Sequence, residues 1–190
     1  MIAFVLGNGK SRLAVDLNQL KAHGKVYGCN ALYKTFTPDV LVATDPGISE
    51  EIQRSGYALS NTFYTRKPLK ELGAKSIREY YGYSSGPIAL SLACKDKHNK
   101  IFMLGFDLNS ADGKFNNVYA GEQWYKAVND EPTYYGNWVK QIADIAEQYP
   151  VQIVRVTENN YIIPKEWHMI RNVSIAMFIE AINNNKLEAL

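Results

Sequence analysis

Five short apolar runs constrain this chain more than anything else in it: IAFVL at residues 2–6, KVYGC at 25–29, DVLVAT at 39–44, KIFMLG at 100–105 and VQIVRV at 151–156. Each has the length of a strand buried on both faces. Between them lie stretches whose apolar residues recur at helical spacing: SRLAVDLNQLKAH, ISEEIQRS, SGPIALSLACKDK and TYYGNWVKQIADIAEQY. In the last of these Trp138, Ile142, Ile145 and Ala146 share one face. Strands that alternate with helices predict an α/β chain with a mostly parallel sheet and helices on both of its faces. At 190 residues the chain supports one well-filled core, so a single domain is expected. Beyond the last run, TENNYIIPKEWHM reads as irregular and VSIAMFIEAINNN as a closing amphipathic helix. Its apolar residues Ile175, Met177, Phe178, Ile179 and Ile182 suit either docking on the core or a subunit interface, which leaves a homo-oligomer open.

In such a sheet, ligands bind beyond the carboxyl ends of the strands, and polar residues collect there. The first run leads into Gly7-Asn8-Gly9-Lys10-Ser11, which is neither of the standard phosphate-binding patterns. A P-loop needs its first glycine where Phe4 stands, and the dinucleotide fingerprint needs its third where Arg12 stands. The feature common to both survives: a glycine turn expected to free backbone donors and Asn8 toward an anion or a ribose. The second run ends in Cys29-Asn30, the third in Thr44-Asp45-Pro46-Gly47, and the fourth in Phe106-Asp107. Helix capping is the alternative for several of these, Asp45 for the helix at 48–55 and Ser84 or Ser85 for the helix from Pro87. Residues 109–133, rich in Gly, Pro, polar and aromatic residues, read as a loop on the same rim, a lid or acceptor-site loop. Tyr119 and Tyr125 belong to it and either reach a ligand or pack at the rim.

Composition narrows the partners. A net charge of +2 with scattered basic residues argues against nucleic acid. Cys29 and Cys94 are the only cysteines and stand at no metal spacing, so a reducing cytoplasmic setting without disulfide or zinc is expected. The apolar start is too short for a signal peptide, and no apolar run is long enough to span a bilayer. His23 at a helix end, His98 in a Lys-rich turn and His168 beside Trp167 read as surface residues. Asp107, Asn109 and Asp112 have the wrong register for a calcium loop, and no Asp-x-Asp pair is present, so no metal is expected.

Taken in order, Gly7-Asn8-Gly9-Lys10-Ser11, Gly28-Cys29-Asn30, Asp45-Pro46-Gly47-Ile48, Ser84-Ser85-Gly86 and Ile101-Phe102-Met103-Leu104-Gly105-Phe106-Asp107 resemble the bacterial sialyltransferases that build sialylated lipooligosaccharides. That family shows Gly-Asn-Gly-Pro-Ser, Arg-Cys-Asn, Asn-Pro-Gly-Leu, Thr-Ser-Gly and Ser-Gly-Ile-Asp-Phe, and the match spans residues 1 to about 157. The first and fourth elements are also similar to motility-associated glycosyltransferase-like and pterin diphosphokinase-like proteins. The resemblance implies a Rossmann-like nucleotide-binding part at 1–157 with the loop or lid at 109–133, and an extension with a helix of the same domain at 158–190. It also implies a cytidine sugar nucleotide as donor substrate, a glycan or small-molecule acceptor, and no separate cofactor.

By position, the nucleotide would be contacted by Gly7, Asn8, Gly9, Asn30, Asp45, Ser84, Ser85 and Gly86. Asp45 replaces an asparagine of the family, so it is expected to face the nucleoside, or to be offset by Lys10 or Arg12 if near phosphate. The family's general base is a histidine that aligns with Asn137, in Tyr134-Tyr135-Gly136-Asn137, and an asparagine takes no proton at neutral pH. That change alone is worth roughly 10²- to 10⁴-fold in rate, or about 3 to 5 kcal/mol of barrier. The family's leaving-phosphate tyrosine aligns with Asn109, leaving Tyr119 or Tyr125 to reach in from the loop and Asp107 to orient an acceptor hydroxyl. The expectation is therefore a metal-independent, sialyltransferase-like glycosyltransferase. The alternatives are a nucleotide-binding protein that has lost transfer and a pyrophosphoryl transferase of pterin type.

Overall fold

All five apolar runs become strands because each is flanked by turn residues and too short and too apolar to leave either face exposed. The structure, a computed structural model, describes residues 1–109, 112–132, 135–158 and 162–190, and for residue 135 its backbone alone. The runs form β1 (Ile2–Leu6), β2 (Gly24–Cys29), β3 (Val40–Ala43), β6 (Lys100–Leu104) and β7 (Gln152–Thr157). Among the described residues three further strands join the sheet: β4 (Phe63–Thr65), β5 (Lys75–Ser76) and β8 (Ile170–Ser174). Every pairing is parallel, in the order β5-β4-β3-β2-β1-β6-β7-β8. The fold is thus α/β and Rossmann-like.

The helices are α1 (Leu17–Leu20), α2 (Pro46–Arg54), α3 (Tyr57–Ser60), α4 (Ser85–Lys95), α5 (Tyr135–Gln148) and α6 (Ile175–Asn183). Alternation along β1 sends Phe4 and Leu6 to one face and Ala3 and Val5 to the other. The first pair packs with Phe102, with Ile52 of α2 and with Phe178 and Ile182 of α6. The second packs with Met103, Ile88 of α4, Ile142 and Ile145 of α5, and Trp167. Phe178 is fully buried and packs edge-on to Phe4, so the last helix docks on the core. Among the described residues no helix is long and apolar enough to cross a membrane.

Several sequence expectations need correction. SRLAVDLNQLKAH does not form one helix. A 3-10 turn at Lys10–Ala14 ends at Val15, whose backbone is extended (φ −113°, ψ 132°), and Asp16 then caps the single turn of α1 through the N–H of Asn18. The helix is broken by tertiary anchors on Ser11 and Arg12, described below. The first two residues of VSIAMFIEAINNN belong to β8, and Ser174 caps α6 by accepting from the N–H of Met177. β4 and β5 are too short, and β8 (IRNVS) too polar as an edge strand, to show as apolar runs. Tyr134 and part of TENNYIIPKEWHM lie outside the described residues.

Candidate functional site

From β1 the chain moves to β2 and β3 on one side, while β6, β7 and β8 lie on the other. The switch point is therefore between β1 and β6, whose register sets Leu6 level with Leu104 and leaves Gly7 beside Gly105. Here the glycines have a packing reason. A Cβ on Gly7 would lie 2.5 Å from the Gly105 carbonyl oxygen, and one on Gly105 would lie 2.7 Å from that of Gly7. Gly105 also has φ +71°, a conformation that favours glycine. The two strand-end turns are locked by the N–H of Gly7 donating to Leu104 O and that of Gly9 to Gly105 O, both at 2.8 Å.

That locking overturns one expectation. Four backbone donors of the Gly7–Ser11 turn are taken within the protein: besides those of Gly7 and Gly9, the N–H of Lys10 donates to Asn116 Oδ1 (2.8 Å) and that of Ser11 to Asp107 Oδ2 (2.8 Å). Asn8 is also engaged, donating from Nδ2 to Cys29 O (3.1 Å) and accepting at Oδ1 from Arg12 (3.4 Å). Arg12 is buried, its other contact being Tyr119 Oη at 3.1 Å, and its Nε has no partner. Among the described residues no ion pair involves it. A buried guanidinium without a carboxylate makes the floor beneath Asn8 electropositive.

Above this floor opens a cleft of about 440 Å³. All eight residues assigned by the resemblance to the nucleotide line it: Gly7, Asn8 and Gly9 as floor, Asn30 and Asp45 from the ends of β2 and β3, and Ser84, Ser85 and Gly86 from the start of α4. Their availability differs. Ser85 Oγ accepts from the N–H of Thr44 (2.9 Å), and Ser84 Oγ accepts from Trp138 Nε1 (3.1 Å). Neither serine caps α4 and Asp45 does not cap α2, so the capping alternative fails for all three side chains. The first intrahelical bond of α4 runs from Ile88 N–H to Ser84 O, which leaves the N–H groups of Ser85 and Gly86 at the head of the helix dipole. Asn30 has φ +53°, a left-handed conformation that asparagine tolerates better than most residues, and its buried Oδ1 has no partner. Asp45 is exposed to the cleft, and loss of solvent between the walls raises its carboxyl above the ordinary value. It is the one acidic side chain among the described lining residues.

The loop supplies the outer wall. In its described part, residues 112–132, Val118 N–H donates to Asn8 O (2.7 Å), Trp124 Nε1 to Glu51 Oε2 (2.7 Å), and Tyr125 Oη accepts from Ala31 N–H (3.1 Å). Trp124 lies over Gly47, where a Cβ would come within 2.4 Å of its ring, and leaves nearly half its own surface open. The segment expected as a lid is in this part a wall bonded into the rim.

The expected catalytic group fares unevenly. Asn137 and Tyr125 line the cleft, but the Tyr125 hydroxyl is held by Ala31, and burial raises its pKa. Tyr119 is buried against Arg12 and Thr35, away from the lining. Asp107 is also below the floor. Both its oxygens accept from Ser11, and burial raises its carboxyl despite Ser11 and the nearby Arg155. It ties the β1 turn to the β6 turn and is not among the described residues that line the cleft. Cys29, in the cleft wall, has its thiol pushed up to about 12 by burial and is no nucleophile at neutral pH. No histidine is among the described lining residues; His98 is bonded to Tyr27 Oη at the amino end of β6.

Three residues of consequence were not singled out from sequence as parts of the site. Trp124 had only the aromatic content of its loop to mark it. Gln141, which accepts from the N–H of Ser84 at 2.9 Å, and Arg155, which donates to Phe106 O at 2.9 Å from full burial, had no local signal. Among the described residues no three His, Cys, Asp or Glu side chains converge so as to hold a metal ion. Comparison of the chain with protein-family models, curated proteins and solved structures finds no match.

Proposed function

We propose that this cleft takes a sugar nucleotide, with cytidine as the base the resemblance favours, and that the protein transfers the sugar to a hydroxyl of a glycan or small-molecule acceptor. The observation that carries the reading is the convergence of unengaged groups at the switch point: Asn30 Oδ1, the Asp45 carboxylate and the N–H groups that open α4. Asn30 accepts hydrogen bonds and suits a nucleoside's amine or hydroxyls, which leaves the Asp45 carboxylate for the acceptor side. The α4 terminus, above a floor made electropositive by Arg12, suits the phosphate, and the open face of Trp124 suits a ring.

Asp45 is proposed as the base, since it is the one acidic side chain among the described lining residues. In the step proposed, an acceptor hydroxyl gives its proton to the Asp45 carboxylate as its oxygen bonds to the anomeric carbon. The bond from that carbon to the phosphate oxygen breaks with its electron pair going to the phosphate, whose added charge meets the Ser85 and Gly86 amides. A raised carboxyl pKa favours this role, and Asp45 then stands in for the histidine that aligns with Asn137.

A second reading, nucleotide binding without transfer, is favoured by the lack of any histidine among the described lining residues. A thermal-shift screen against CMP, CDP, UDP, GDP, ATP and their sugar conjugates tests the binding. A ligand at 100 times its Kd adds about 2.7 kcal/mol, a rise of several degrees for a domain of this size. Selective stabilisation by cytidine ligands is the expected result, and a flat screen overturns both readings. Turnover of a bound donor that disappears in Asp45→Asn separates transfer from binding alone.

A further inference from the structure

A second cleft, of about 710 Å³, opens over the carboxyl ends of β3, β4 and β5, and shares Asp45, Gly82 and Tyr83 with the first. Its floor is polar and internally matched: Ser49 and Thr65 hydroxyls bond each other, and Gln53 donates to Lys67 O while accepting from Leu69 N–H. Its basic side chains are not matched. Arg66, Lys67 and Arg78 line it, and no ion pair among the described residues involves any of the three. Glu50, on the same cleft, is held by Arg54 at 2.7 Å. The Arg66 guanidinium is fixed by donating to the backbone carbonyls of Ile77 (2.9 Å), Glu79 (2.6 Å) and Tyr80 (2.5 Å), all neutral acceptors that leave its charge uncompensated. Tyr81 stands at 86% exposure with its ring 5.7 Å from that guanidinium.

We infer that this cleft is the acceptor subsite and that it takes an anionic sugar, one bearing a carboxylate or a phosphate. The assignment of an acceptor role rests on reading the first cleft as the donor site. A cleft of this volume holds a mono- or disaccharide. Lys67, Arg78 and the preset Arg66 provide the charge for an acidic substituent, and an exposed tyrosine gives a sugar ring a flat face to lie on. Asp45, on the wall common to both clefts, then lies between the acceptor hydroxyl and the donor. A neutral acceptor would leave three cations unmatched, which is the physical basis for selectivity.

Amide chemical shifts of the labelled protein, titrated with glucose 6-phosphate, glucuronate and glucose, test this. The expected result is that one or both anionic sugars move the amides of Thr65–Lys67 and Arg78–Tyr81, and that glucose does not. The double variant Lys67→Ala/Arg78→Ala, altered only at exposed side chains, should bind the anionic sugar at least tenfold more weakly and CMP unchanged. A response to glucose 6-phosphate alone identifies a phosphate site, and one to glucuronate a carboxylate site. Equal response to glucose, perturbation confined to Gly7–Gly9 and Ser85–Ile88, or undiminished binding by the double variant overturns the proposal. Failure of CMP to move the first-cleft amides in the same spectra overturns the donor reading and with it the acceptor role, while the anion site stands or falls on the sugar titration alone.

Discussion

A methyl group on Gly9 would lie 2.5 Å from Asp107 Oδ2 and 2.7 Å from Gly105 O, so the β1 and β6 turns would have to separate to admit it. Gly9→Ala is predicted to cost about 2 to 3 kcal/mol, read from urea denaturation, because neither neighbour is the free end of a flexible chain. At Asn30 side chain and backbone can be tested apart. Asn30→Gly keeps a residue at ease with φ +53° and should weaken nucleotide binding about tenfold with little change in stability. Asn30→Ala should lose binding and also about 1 kcal/mol of stability. For Asp45 the sign follows from the direction of its shift. The folded state holds its proton more tightly than the unfolded chain, so ionised Asp45 lowers stability at neutral pH, and that cost fades as pH falls through the folded pKa toward the ordinary carboxylate range. Asp45→Asn should therefore melt higher than the parent at pH 7, by a margin that closes near pH 4, while transfer drops by roughly 10²- to 10⁴-fold. Asp107, raised in the same direction, is present in both proteins and cancels in the difference.

Each helix owes its bounds to something different. α4 begins where Ser84 and Ser85 turn their hydroxyls to Trp138 and Thr44 instead of to the helix, which leaves its first amides open at the cleft. α6 begins with a true cap, and Ser174→Ala should cost about 1 kcal/mol by denaturant midpoint without changing ligand binding, since Ser174 lies outside both clefts. The stretch from Ser11 to His23 has a helical pattern and yet divides, because Ser11 is held by Asp107 and Arg12 reaches Asn8 and Tyr119. Periodicity reports the apolar face of a segment, and anchors made by its polar residues are invisible to it. β8 was missed for a related reason: an edge strand with one exposed face needs few apolar residues.

Across the whole molecule, one all-parallel sheet carries two clefts along the same edge, joined at Asp45, and the tie between Arg155 and Phe106 O steadies the β6 turn from below. The strand runs, their alternation with helices and the gathering of polar residues at the carboxyl ends were legible in the chain, since each depends on residues a few positions apart. The eight rim residues chosen by resemblance do line one cleft. Which of their atoms are left for a ligand was not legible. Gly9 N–H meets Gly105 O, Ser11 meets Asp107, Arg12 meets Tyr119 and Ser85 meets Thr44, pairs separated by about forty to more than a hundred residues. A polar group's availability depends on the partner that reaches it when the strands assemble. Local pattern therefore located the rim, and long-range hydrogen bonding left Asn30 Oδ1, the Asp45 carboxylate and the head of α4 without partners among the described residues.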